Sequence, residues 1–119
     1  MEKNKNIPLI VEGIEEKKGE DVIIIDLRAI DNSPCSYFVI CNATSKTHIN
    51  AISNNIEKKL FKESNRKIWK QEGRGTNWQL LDYENIVVHI FKKETRKNYA
   101  IEELWGDGEI KKYTDFEKK

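Results

Sequence analysis

Apolar blocks separated by charged and turn-forming residues divide the chain into segments of helical and extended periodicity. Near the N-terminus, apolar residues recur at helical spacing ahead of Gly19, a residue type that commonly ends a helix. The β-branched run at residues 22–25 predicts a central strand buried on both faces. Residues 31–34 carry turn chemistry, and residues 37–41 form a second apolar strand.

The middle of the chain predicts the longest helix, which runs to about Ser64 and which Thr44 or Ser45 can cap. Residues 67–72 are a short strand candidate, and residues 77–82 and 86–91 read as an antiparallel hairpin. A last helix is predicted over residues 93–105, before Gly106. The buried stripe of the longest helix is predicted to consist of Ile49, Ile52, Ile56 and Leu60.

This order of elements predicts an α/β (α+β) protein with a single mixed β-sheet of about five strands flanked by helices. The predicted hairpin argues against an all-parallel sheet, because its two strands must run antiparallel. We predict one domain over residues 1–107 and a polar C-terminal tail over residues 108–119.

Charge and composition narrow the function classes. The chain has 119 residues, and its 21 Lys and Arg nearly cancel its 20 Asp and Glu, for a net charge of +1. Bulk charge therefore predicts no general attraction to nucleic acid. No apolar run approaches the roughly 20 residues that span a bilayer, so we predict a cytoplasmic protein without membrane contact. Cys35 and Cys41 are too few for a disulfide framework and are expected to be reduced.

Candidate catalytic groups are sparse. Asp26 follows one strand and Asp82 ends another, so a metal-dependent, nucleotidyltransferase-like enzyme remains an alternative. Neither aspartate belongs to a paired motif, however, and we predict no enzyme, no cofactor and no metal site. His89 lies among apolar strand residues, which favours a structural histidine. Trp78 shares a strand face with Leu80 and Asp82, and it suits the core or an interface about equally well.

Several segments together resemble the Iojap-related ribosomal silencing factor family, in the same order and across residues 7–107. No single segment is specific to this family. The combination of an aspartate-ended hairpin, a Val-Val-His sequence and a terminal Leu-Trp pair is specific to it. The segments that carry the resemblance are Tyr37-Phe38-Val39-Ile40-Cys41, Ala43-Thr44-Ser45, Trp78-Gln79-Leu80-Leu81-Asp82-Tyr83, Ile86-Val87-Val88-His89-Ile90-Phe91, and Arg96, Tyr99, Glu102 with Leu104-Trp105-Gly106-Asp107.

The resemblance implies a fold related to nucleotidyltransferases without known catalysis. It implies a protein that binds the large ribosomal subunit through its protein number fourteen, on the face that meets the small subunit. Occupying that face would block subunit joining and repress translation when nutrients are scarce. The implied partner-binding residues are Trp78, Asp82 and Tyr83, with Leu80 buried in the partner and a polar rim of Arg74 and Glu72.

Some features leave alternatives open. Ser36 and Ala43 depart from the family pattern, as does Pro34-Cys35, which leaves any role of that loop undecided. An apolar edge strand would allow a homodimer. A Lys-rich tail and the long helix would allow a minor contact with ribosomal RNA, which would show as strong salt dependence.

Overall fold

The fold is one sheet with helices, seen in residues 6–99 and 109–112, which are the residues that this computed structural model describes. The helices are α1 (Asn6–Glu16), α2 (Lys46–Ser64) and α3 (Lys93–Tyr99). The strands are β1 (Glu20–Asp26), β2 (Tyr37–Ala43), β3 (Lys70–Glu72), β4 (Trp78–Asp82), β5 (Ile86–Lys92) and β6 (Glu109–Lys112).

The sheet is mixed, as predicted, with the strand order β3-β4-β5-β2-β1-β6. Strands β2 and β5 pair in parallel, and β4 and β5 form the predicted antiparallel hairpin. The segment predicted as a tail contributes a sixth strand, because β6 pairs antiparallel with β1. The predicted last helix is seen as α3, and its continuation to residue 105 lies outside the described residues, as does the Leu104-Trp105-Gly106-Asp107 motif.

Helices α1 and α2 cover one face of the sheet and form the main core with it. Ser45 caps α2, where its hydroxyl accepts a hydrogen bond from the backbone N–H of His48 at 3.1 Å. The predicted stripe of α2 is confirmed, since each of its four members is fully buried: Ile49, Ile52, Ile56 and Leu60.

The strand buried along its whole length is β2, where every residue from Tyr37 to Ala43 is buried. The β-branched strand β1 is buried on both faces only at Ile24 and Ile25, and its first two residues are exposed. The expectation of a central β1 was therefore wrong in position: β1 lies next to the edge strand β6, with β2 between it and β5.

The edge strand β3 is short and charged. Lys70 and Glu72 form an ion pair of 3.2 Å along it. Short, charged edges oppose edge-to-edge pairing, so β3 is not the apolar edge that a homodimer through strand pairing requires. In the described ranges, no helix is long and apolar enough to cross a membrane.

The turn between β3 and β4 depends on Gly73. Its φ is +76°, and a Cβ built there would lie 2.1 Å from the backbone oxygen of Trp78. Gly75 also has a positive φ, +80°, but a Cβ there would meet no atom within 4 Å. We expect Gly75→Ala to lower the free energy of unfolding by about 1 kcal/mol, the cost of a left-handed alanine. Gly73→Ala adds a backbone clash and should cost about 3–4 kcal/mol in total.

Urea unfolding of the two variants measures this difference, and each serves as the other's control because the backbone penalty is shared. Equal midpoints for Gly73→Ala and Gly75→Ala would show that the turn relaxes and does not hold Trp78 in place.

Helix α3 is fixed to the sheet by Arg96, which is 8% exposed. Its Nη1 donates to the backbone oxygen of Asp21 at 2.7 Å and to Oδ1 of Asn42 at 2.9 Å. Asp21 has a φ of +51° and lies where the register of β1 against β2 shifts. The guanidinium therefore joins α3 to an irregular part of β1 and to the end of β2.

Replacing Arg96 with methionine keeps most of the apolar stem and removes these donors from buried acceptors. We expect the free energy of unfolding to fall by about 3 kcal/mol, the scale of losing charged hydrogen bonds in a buried site. Lys97→Met, at the exposed neighbouring position of the same helix, should change it by less than about 0.5 kcal/mol. Chemical denaturation followed by circular dichroism measures both values, and similar values would contradict the assigned role of Arg96.

Candidate functional site

One face of strands β3 and β4 is accessible, and we call it the hairpin face. It lies opposite α1 and α2, because its residues alternate with those that enter the core beneath the helices. All of its members are half-buried or exposed, whereas His89 and Phe91 of β5 and Phe38 of β2, on the same side of the sheet, are buried. The hairpin face consists of Lys70, Glu72, Trp78, Leu80 and Asp82.

Trp78 is half-buried and is held by an aromatic cluster. Its ring stacks on Phe91, with the centroids 4.9 Å apart and the planes at 21°. Its Nε1 donates a hydrogen bond of 3.1 Å to Nδ1 of His89. Two contacts at different points of the indole fix its orientation, so the part of the ring that remains accessible is presented in one position.

His89 is the centre of this cluster. It is 4% exposed, and its ring meets that of Phe38 edge-on with the centroids 4.5 Å apart. Burial lowers the pKa of His89 from 6.5 to about 3, so the ring is neutral at physiological pH. Since Nδ1 accepts from Trp78, the neutral ring carries its proton on Nε2, which has no hydrogen-bond partner among the described residues. This environment supports the prediction of a structural histidine.

The remaining predicted residues of the hairpin face adjoin Trp78 along β4 and β3. Leu80 lies in register between Glu72 and His89. Asp82 uses Oδ1 to accept the backbone N–H of Glu84 at 2.8 Å, which stabilises the hairpin turn. Arg74 lies outside this face, in the exposed turn after β3, where its Nη1 donates to Oε1 of Gln71 at 2.9 Å.

Tyr83 has to be removed from the predicted partner-binding set. Its side chain is 1% exposed and belongs to the core cluster beneath the helices. Alternation along the hairpin directs it to the face opposite Leu80 and Asp82. Burial raises the pKa of its hydroxyl above the usual range, which fits a core residue and not a contact residue.

The register of the sheet separates the two carboxylates of the metal-site alternative. Asp82 shares a face with Val87 and Phe38, whereas Asp26 pairs with Tyr37 and lies on the opposite face. Strands β5 and β2 also lie between them, a separation of about 14 Å at the usual strand spacing. Asp26 instead binds Arg28 through an ion pair of 2.6 Å. The two aspartates therefore cannot share a metal ion.

A polar network that the sequence did not predict joins the hairpin to α2. Buried Gln79 donates from Nε2 to Oδ1 of Asn50 at 2.6 Å, and Nε2 of Gln71 donates to the hydroxyl of Ser53 at 3.1 Å. These residues are spread over 30 positions of the chain, so no local spacing reveals the network. The network joins the helix side of β3 and β4 to α2. It thereby supports the hairpin face, which lies on the opposite side of these two strands.

Comparison with known proteins matches the whole chain to one family. The family model described as "Ribosomal silencing factor during starvation" matches residues 1–119. A ribosomal silencing factor of Halalkalibacterium halodurans is 32% identical over 108 residues, which cover 90% of this chain and 91% of that protein. A solved structure from Chromobacterium violaceum has a TM-score of 0.80 at 32% identity and covers 89% of this chain and 88% of its own.

A more distant relative is longer. The mouse protein named "Mitochondrial assembly of ribosomal large subunit protein 1" is 29% identical over 107 residues. The match covers 84% of this chain and 45% of the mouse protein.

Proposed function

The chain belongs to the ribosomal silencing factor family, as the segments quoted from its sequence indicated, and we propose that it silences translation by binding the large ribosomal subunit. The partner is ribosomal protein number fourteen, and the contact surface is the hairpin face. Bound there, the protein occupies the side of the large subunit that meets the small subunit, and joining is blocked sterically. It acts by occupancy and not by catalysis, when nutrients are limiting.

The observation that carries this proposal is the chemistry of the hairpin face. Trp78 and Leu80 offer apolar contact area, and Asp82 adds negative charge beside it, while the charge of Glu72 is paired with Lys70. Large aromatic side chains are enriched among interface hot spots. A rim of opposite charge raises the rate and specificity of docking to a basic partner such as a ribosomal protein. The name of the mouse relative also points to the large subunit.

Co-sedimentation with separated ribosomal subunits tests the proposal. We expect the purified protein to sediment with large subunits and not with small subunits. Large subunits preloaded with the protein should then fail to form whole ribosomes when small subunits and Mg²⁺ are added, as followed by light scattering. Isolated ribosomal protein number fourteen should compete for binding.

Each stage can contradict a different part of the proposal. Sedimentation with neither subunit would overturn the ribosomal role. Binding to large subunits that leaves joining unchanged would overturn steric occlusion. Binding that isolated protein number fourteen does not compete would overturn the choice of partner.

A further inference from the structure

Positive charge is concentrated in one segment of the chain, residues 58–70, which we call the basic segment. It holds six basic residues and one acidic residue, a net charge of +5, whereas the whole chain carries +1. The other 106 residues therefore sum to −4. The near-neutral total hides a segment with an excess of basic residues. The six basic residues are Lys58, Lys59, Lys62, Arg66, Lys67 and Lys70.

The same segment carries both of the large hydrophobic side chains that stand exposed among the described residues. Phe61 is 51% exposed on α2, and Trp69 is 63% exposed just before β3. Nζ of Lys67 lies 6.0 Å from the centroid of the Phe61 ring. Ile68, between Lys67 and Trp69, packs against the core and anchors this stretch. Phe61 and Lys67 thus lie together at the surface, and exposed Trp69 follows Lys67 two residues later in the chain.

The cations of the basic segment divide into two groups. Lys59 binds Glu16 at 2.8 Å, Lys70 binds Glu72, and Arg66 donates to the hairpin turn at Asn85 Oδ1 at 2.9 Å. Within the described residues, the other three form no ion pair. These three, Lys58, Lys62 and Lys67, lie beside Phe61 on α2 and on the extended stretch that leads to Trp69.

We propose that the basic segment is a binding surface for unpaired RNA, with Trp69 and Phe61 stacking on bases and Lys58, Lys62 and Lys67 contacting phosphates. Stacking on aromatic residues within a positively charged surface is how proteins bind single strands without sequence preference. A protein partner fits less well, because lysine is depleted in protein–protein interfaces. The binding itself does not depend on the proposed function, but its assignment to ribosomal RNA does.

The position of Trp69 agrees with that assignment. Its backbone N–H donates to the carbonyl of Asp82 at 2.9 Å, and Lys70, the next residue, belongs to the hairpin face. The basic segment and the hairpin face therefore meet along β3. A ribosomal protein docked on the hairpin face would bring neighbouring ribosomal RNA across that edge to Trp69.

Fluorescence anisotropy with a labelled twelve-nucleotide oligouridylate and the full-length protein tests the RNA surface. Three phosphate contacts predict that affinity falls about 20-fold between 50 and 200 mM salt. Trp69→Ala should weaken binding by about fivefold or more, and its exposure makes it harmless to folding. Lys62→Gln combined with Lys67→Gln should lower the salt slope by about 1.4.

Two control variants make the result specific. Lys17→Gln combined with Lys46→Gln removes the same charge from exposed positions outside the basic segment and should leave RNA binding unchanged. Leu80→Ala, on the hairpin face, should also leave RNA binding unchanged, which separates this inference from the proposed function. An unaffected Trp69→Ala variant, or no binding at 50 mM salt, would overturn the RNA surface. Stronger binding of a glutamate-rich peptide than of the oligouridylate would overturn it in favour of an acidic protein partner.

Discussion

Trp78→Ala is expected to weaken binding to the large ribosomal subunit by about 30- to 1,000-fold, equal to about 2–4 kcal/mol. The indole is fixed by its stack on Phe91 and its hydrogen bond to His89, so little conformational freedom is lost when a partner covers it. Losing a rigid aromatic anchor is the change that costs an interface most. Titration of labelled protein with large subunits measures the affinity of each variant.

Trp78 also supports the fold, so weaker binding caused by the loss of a contact must be separated from weaker binding caused by the loss of stability. Leu80→Ala provides the separation, because Leu80 is half-buried on the hairpin face and joins no hydrogen bond through its side chain. Its matched control is Leu9→Ala, the same change at a half-buried leucine that packs against the helix-side core. We expect Leu80→Ala to weaken subunit binding by about tenfold and Leu9→Ala to leave it unchanged.

Two results would contradict the assignment of the hairpin face as the contact surface or the interpretation of its variants. If Trp78→Ala remains folded at the assay temperature and binds large subunits as tightly as wild type, the hairpin face is not the contact surface. If Leu80→Ala and Leu9→Ala lower affinity equally, the effect of both is loss of stability and not loss of contact.

Local patterns in the sequence predicted most of the fold because they correspond to local physics. The 3.6-residue period of α2 and its serine cap are properties of neighbouring residues, and both appear in the structure. Alternation along the hairpin also placed Trp78, Leu80 and Asp82 on one face, which the register of β4 and β5 confirms. Such features need no knowledge of distant parts of the chain.

Features that depend on distant pairing were missed. Strand β6 has the sequence Glu-Ile-Lys-Lys, which is too short and polar to show a strand period, and it becomes a strand because β1 offers it a partner. The contact of Arg96 with Asp21 spans 75 positions. Tyr83 was misplaced for a different reason: the family resemblance put it among the contact residues, whereas strand alternation from Leu80 and Asp82 directs its side chain to the core.

Acid is expected to destabilise the protein strongly through His89. Burial lowers the folded-state pKa of this group to about 3, whereas an unfolded chain gives the ordinary 6.5. The unfolded state therefore binds a proton in a range where the folded state does not. The resulting stability is fully present above pH 6.5 and is lost as the pH falls towards 3. The loss amounts to about 2 kcal/mol at pH 5 and more at lower pH.

The hydrogen bond between Trp78 and His89 gives this titration a consequence at the hairpin face. A proton added to Nδ1 of His89 would turn the acceptor of the indole N–H into a second donor, and the two N–H groups would repel each other. Acid therefore acts on the residue that orients Trp78. We expect the loss of stability to be accompanied by a change in the fluorescence of Trp78.

Measuring the unfolding free energy of wild type and His89→Gln from pH 7.5 to 4.5 tests this expectation. Glutamine keeps an acceptor for the Trp78 N–H and has no titrating group, so the variant should start less stable and lose less stability with acid. All other ionisable groups are the same in the two proteins, so their contributions cancel in the difference. If the difference in unfolding free energy between the two proteins stays constant from pH 7.5 to 4.5, His89 takes up its proton without cost. The buried aromatic cluster would then not hold the ring neutral.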